Sequence, residues 1–236
     1  MTAGSSTCGP AGSAAATSTV NLNELTADRL VQHLAAWFEQ TVTEEQRRLL
    51  PRVLRKLATG QPVDPARLAT LAGLPVDRVD AALRQAASEW DPSGQRLVGL
   101  GLTSVPTQHR YRVHGHDLWA WCAGDTLAFP VWIGAPAHVE SPCAATGELV
   151  QVEVTPAGVR HVEPAGAVMS FVTPATDLSQ VRQAVCANSH YFRSAEAAAP
   201  WHAQHPDGLV LPVAEAFEVL RPAVLQAWGD LLPSSG

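Results

Sequence analysis

Residues 62–85 constrain this chain more tightly than any other stretch. Asp64 stands where a carboxylate can accept the free N–H groups of a helix start, and Pro65 suits a first helical position, where no N–H partner is needed. Gly73 supplies the left-handed residue that closes a helix, and Pro75 opens a second one carrying Val79, Ala82 and Leu83. Two short helices about a tight turn form a helix-turn-helix. Upstream, Leu30, Leu34 and Trp37/Phe38 recur at helical spacing, as do Leu49, Leu50, Val53, Leu54 and Leu57, so residues 25–41 and 44–58 read as amphipathic helices. Downstream, Asp-Pro-Ser-Gly at 91–94 reads as a turn and the apolar run 97–102 as one strand. The order predicts a winged-helix-like helical domain over residues 23–105.

From Tyr111 the texture changes to short segments rich in Pro and Gly. Residues 148–154 alternate apolar and polar, as does part of 158–172, which predicts antiparallel strands with one solvated face. A single helical segment is expected over 118–129, with further helices at 195–204 and 212–228. Residues 182–192 fit strand or loop equally. The expected fold class is α+β, a helical domain followed by an α+β domain with a mainly antiparallel sheet at 106–236. Residues 1–22 are a low-complexity mixture of small residues, read as a flexible tail that holds Cys8.

With 46% hydrophobic and 16% charged residues the chain is globular in composition. No apolar run approaches the roughly 20 residues of a membrane span. The first residues lack the pattern of a secretory signal, so a cytoplasmic location is expected. A net charge of −6 gives no general attraction to nucleic acid. The cysteines, at 8, 122, 143 and 186, form no C-x-x-C pair and read as thiols rather than a disulfide scaffold.

Cys122 and Asp125, three apart on the expected helix, would share a face, bringing a thiol beside a carboxylate among Trp121, Leu127, Phe129 and Trp132. Apolar surroundings push a carboxyl towards the range of a useful proton donor. Cys143, beside Ala144, Ala145 and Gly147, reads as a packing residue at a turn. Cys186 lies near Arg182, Asn188 and His190, which by itself says little. A winged-helix regulator sensing a metal or oxidant through Cys122 and Cys186 is the alternative, but Arg78 and Arg84 against Asp77 and Asp80 leave the second helix neutral. A protein that only sequesters metal is a third reading.

The run Trp119-Ala-Trp-Cys-Ala-Gly-Asp-Thr-Leu-Ala-Phe-Pro, then Cys143-Ala-Ala-Thr-Gly, Val162-Glu-Pro-Ala-Gly, and Val181-Arg-Gln-x-x-Cys with His190 and Phe192, resembles the bacterial alkylmercury lyase family in order and spacing. The resemblance spans roughly residues 45–220 and implies protonolytic cleavage of carbon–mercury bonds to hydrocarbon and Hg(II). It implies Cys122, Cys186 and Asp125 as the catalytic set and as the groups that meet mercury, with the cysteine matching Cys143 structural. No cofactor is implied, since mercury is substrate and product. The implied partners are an organomercurial, low-molecular-weight thiols and a mercuric reductase that accepts Hg(II), with no specific DNA and no membrane. Some members carry a second cysteine directly after the one matching Cys186, where this chain has Ala187.

Overall fold

A computed structural model describes residues 20–232 of the chain. The expected tail with Cys8 lies outside these residues except at its end. There Leu22 is buried in a short 3-10 turn capped by Asn21, and its N–H donates to the Asp207 carbonyl at 3.2 Å.

Four helices follow: α1 (Ala27–Thr41), α2 (Glu44–Leu57), α3 (Pro65–Ala72) and α4 (Val76–Arg84). Thr43 and Gln46 cap the start of α2 reciprocally, each side chain accepting from the other's backbone N–H. Asp64 Oδ1 accepts the Ala66 N–H at 2.9 Å, and Gly73, at φ 64°, ends α3 as the sequence predicts. These stops are local chemistry, so a single sequence shows them.

Eight strands form one antiparallel sheet in the order β1-β2-β3-β5-β4-β6-β7-β8. They are β1 (Glu89–Trp90), β2 (Leu97–Leu100), β3 (Leu102–Thr103), β4 (His109–Val113), β5 (His116–Ala120), β6 (Ala137–Pro142), β7 (Leu149–Thr155) and β8 (Gly158–Glu163). The apolar run 97–102 is therefore not one strand. Gly101, at φ 74°, reverses the chain so that Leu100 pairs with Leu102. β3 then pairs with β5, through Leu102 with Ala120 and Thr103 with Trp119, so the strands that follow the helices extend the sheet of the C-terminal half. On β7 the expected alternation holds, with Val150, Val152 and Val154 buried and polar Gln151 and Glu153 between them.

The remaining elements are α5 (Ala123–Ile133), β9 (Val168–Phe171), α6 (Val181–Ala184), a 3-10 turn at Cys186–Asn188, β10 (Tyr191–Phe192), α7 (Ala195–Gln204), β11 (Leu209–Pro212) and α8 (Val213–Trp228). β9 lies between β10 and β11 in a second antiparallel sheet. The fold is α+β with antiparallel sheets. α5 is apolar on nearly every side because it runs through the centre, against α2, α8, the large sheet and β9. Phe38 of α1, Trp132 of α5 and Trp228 of α8 meet edge to face at centroid distances of 6.0, 5.4 and 5.1 Å. Such pairs add about 0.5–1.5 kcal/mol each beyond the area they bury. Arg47 Nε donates to the Ala227 carbonyl at 2.8 Å while Trp228 Nε1 donates to the Arg47 carbonyl at 3.0 Å, which fastens α2 to the end of α8. Among the described residues no helix is long and apolar enough to cross a membrane.

Candidate active site

Cys122 does not lie within a helix that begins near Leu118, as the sequence suggested. Trp119 and Ala120 belong to β5, paired with Arg110 and His109 on β4, and Cys122 itself is extended at φ −151°, ψ 171°. It is the cap of α5. Its Sγ accepts the Asp125 N–H at 3.4 Å, in the place a serine or threonine oxygen usually takes. The thiol and carboxylate still meet, but through cap geometry rather than a shared helix face. The local signal was a capping residue followed three places later by an acid, hidden because cysteine stands at the cap.

Cys186 arrives from the opposite direction, on the 3-10 turn after α6. Its Sγ stands 3.9 Å from Asp125 Oδ2. Each of Cys122, Asp125 and Cys186 offers an atom within 4.8 Å of the other two, a spacing at which the three could hold a metal ion. Two thiols and one carboxyl are what a soft cation and a proton-transfer step require. The fold thus brings together all three residues that the sequence singled out.

Burial pushes the Asp125 carboxyl up to about 6, against the opposing pull of the two thiols and of the Cys122 and Trp121 backbone N–H groups. The Cys186 thiol is held far above its ordinary range by the Cys122 sulfur beside it, by burial and by the negative charge of Asp125. At neutral pH the site therefore carries a protonated Cys186 next to a carboxylate able to take a proton. Gly101 leaves room for that carboxylate. A Cβ there would lie 3.0 Å from Phe129 Cζ and 3.6 Å from Asp125 Oδ2, in a left-handed conformation that a side chain strains.

The three groups line an apolar cavity of about 120 Å³. Leu34, Phe38 and Leu54 from α1 and α2 also line it, with Trp121, Trp132 and Trp228 from the rest of the chain. The sequence reads the helical domain as scaffold and as a candidate cover for the substrate site, and tertiary packing supplies the residues of α1 and α2 that line the cavity. Cys186 also borders a second, open groove, whose wall includes His109, Arg182, Ala187 and His190. The Arg182 guanidinium packs over the Trp121 ring at 4.7 Å and pairs with Glu89 at 2.6 Å, tying α6 to β1.

Cys143 lies outside this group. It opens the turn before β7, its N–H donating to the Glu148 carbonyl at 2.7 Å and its Sγ accepting the Arg193 N–H at 3.3 Å. Because the sulfur is buried and structurally engaged, Cys143→Ser should lower the melting temperature by roughly 2–4 °C, the effect of about 1 kcal/mol, with little change in rate per folded molecule. Calorimetry alongside active-site-normalised rates checks this, and an inactive variant of parental stability would place Cys143 in the chemistry instead.

Residues 102–224 match the alkylmercury lyase family. An alkylmercury lyase from Staphylococcus epidermidis is 44% identical over 202 residues, covering 85% of this chain and 90% of that protein. One from Bacillus cereus is 46% identical over 179 residues, 75% of this chain and 81% of the relative. A solved structure of the mercury-bound form of MerB2 shares the fold, with a TM-score of 0.67 at 24% identity over 85% of this chain and 98% of its own. The chain belongs to the alkylmercury lyase family.

Proposed function

We propose that Cys122 and Cys186 together hold mercury while Asp125 moves the proton that replaces it on carbon. An alkyl- or arylmercury compound then leaves as hydrocarbon and Hg(II). The observation that carries this reading is the convergence of two thiols and a desolvated carboxyl in the lining of an apolar cavity. R–Hg⁺ first bonds to one thiolate, and the proton of that thiol leaves to solvent. Asp125 takes the proton of the second thiol, for which the 3.9 Å approach of Cys186 favours Cys186 as donor. The new thiolate bonds to mercury and loads electron density onto the Hg–C bond. Asp125 returns its proton to carbon, the Hg–C bond breaks, and R–H departs with mercury left on two sulfurs. The three side chains and the substrate supply every proton and ligand, so the reading requires no resident cofactor.

The apolar walls suit the hydrocarbon group, and the open groove at Cys186 suits a thiol that comes to withdraw Hg(II) before a reductase receives it. Ala187 borders that groove and offers no internal thiol for a relay. Three free cysteines among the described residues fit a reducing compartment such as the cytoplasm. The helix-turn-helix and its β-hairpin resemble a winged helix, yet both arginines of α4 are engaged, Arg78 with Glu45 and Arg84 with Asp80 at 2.8 Å. That pairing supports a role as scaffold behind the cavity wall rather than as a reader of DNA. In deuterated buffer, phenylmercury should yield benzene carrying one deuterium. Unlabelled benzene would remove the proton-transfer step from the mechanism.

A further inference from the structure

We infer that Ser189 is a positioning residue for carbon–mercury cleavage, locking the Cys186 loop onto the helix start that Cys122 caps and so setting the separation of the two sulfurs. The inference rests on the dithiol reading above. The first N–H groups of any helix lack partners inside it. In α5 those of Ala123 and Gly124 both go to Ser189, the first to its carbonyl at 3.2 Å and the second to its Oγ at 2.9 Å, while that of Asp125 goes to Cys122 Sγ at 3.4 Å. A residue three places after Cys186 thus completes the cap that Cys122 begins.

The other flank of the loop is held by Ser170 on β9, whose Oγ donates to the Asn188 carbonyl at 3.0 Å and accepts the His190 N–H at 3.1 Å. Ser189 and Ser170 are 1% and 0% exposed, so water cannot replace either set of bonds. The contact with α5 is also close. A Cβ added at Gly124 would lie 3.2 Å from Ser189 Oγ and 3.8 Å from Cys122 Sγ. The Ser189 Oγ acts here as an acceptor for the Gly124 N–H. Its effect comes through where it holds Cys186.

The experiment measures kcat and KM for phenylmercury, Hg(II) binding by sulfur-to-mercury charge-transfer absorption, and melting temperature in Ser189→Ala, Gly124→Ala and the double variant. Ser189→Ala keeps the carbonyl bond and should melt only roughly 2–4 °C lower. Its kcat should fall about 10²-fold, as for a reacting group displaced by about an ångström, with KM little changed and the charge-transfer band weakened. Gly124→Ala alone should cost about tenfold in kcat, and almost nothing further once the hydroxyl it presses on is gone. Parental kcat in Ser189→Ala, or losses that simply multiply in the double variant, would overturn the inference. Cys186→Ser serves as the control: if it retains cleavage, the dithiol reading itself fails and the positioning role with it, whereas an inactive control beside a fully active Ser189→Ala confines the failure to Ser189.

Discussion

Cys122→Ser is expected to lose carbon–mercury cleavage by about 10³-fold or more while folding at least as stably as the parent. The two effects separate because Cys122 occupies a cap. Serine is among the preferred capping residues, and its oxygen would accept the Asp125 N–H that the sulfur now accepts at 3.4 Å, a gain of up to about 1 kcal/mol. Stability alone would therefore place serine here, and what serine lacks is a soft, ionisable ligand for mercury. Cys186→Ser should be equally inactive, without a compensating gain, because Cys186 caps nothing. Single-turnover assays with excess enzyme, set beside thermal melts, check both variants. Appreciable cleavage by either would mean that one thiolate suffices.

Asp125→Asn should still bind organomercury, yet turn over about 10²-fold or more slowly, since an amide neither takes the thiol proton nor gives one to carbon. Its stability should move the other way. The folded chain retains the proton up to about pH 6, whereas an unfolded carboxyl loses it near 3.8. The contribution of Asp125 to stability is thus complete below the lower value and is lost as pH rises through about 6, where the buried group must ionise. Removing the ionisable group should stabilise the fold by about 2 kcal/mol at pH 8, allowing for partial exposure to the cavity, and by little at pH 4. The parent's cleavage rate should likewise fall as pH drops through about 6, because Asp125 then arrives already protonated and cannot receive the thiol proton. An asparagine variant that cleaves phenylmercury at the parental rate would contradict the role given to Asp125.

How far the sequence could be read depended on how local each cause was. Asp64, Pro65 and Gly73 fix α3 through bonds and dihedral angles spanning a few residues, and the leucines of α2 declare their face by spacing. The boundary at Cys122 was hidden because the apolar end of β5 runs straight into a helix that is apolar on nearly all sides, leaving no change of period to mark the start. Gly101 looked like a strand residue until its pairing showed the chain reversing there. The segment holding Cys186 packs a helical turn, a 3-10 turn and a two-residue strand into a dozen residues, too short for any periodicity to register. Cys122 and Asp125 could be paired from their spacing alone. That Cys186 joins them, that Ser189 spans the two segments, and that α1 and α2 wall the cavity all depend on contacts between residues far apart in the chain.

The central claim is that mercury ends on both cysteines, and X-ray absorption of the protein after one turnover with stoichiometric phenylmercury tests it most directly. Two sulfur ligands per mercury are predicted for the parent, and one for Cys186→Ser loaded with Hg(II). A single sulfur in the parent, completed by nitrogen or oxygen, would contradict the account.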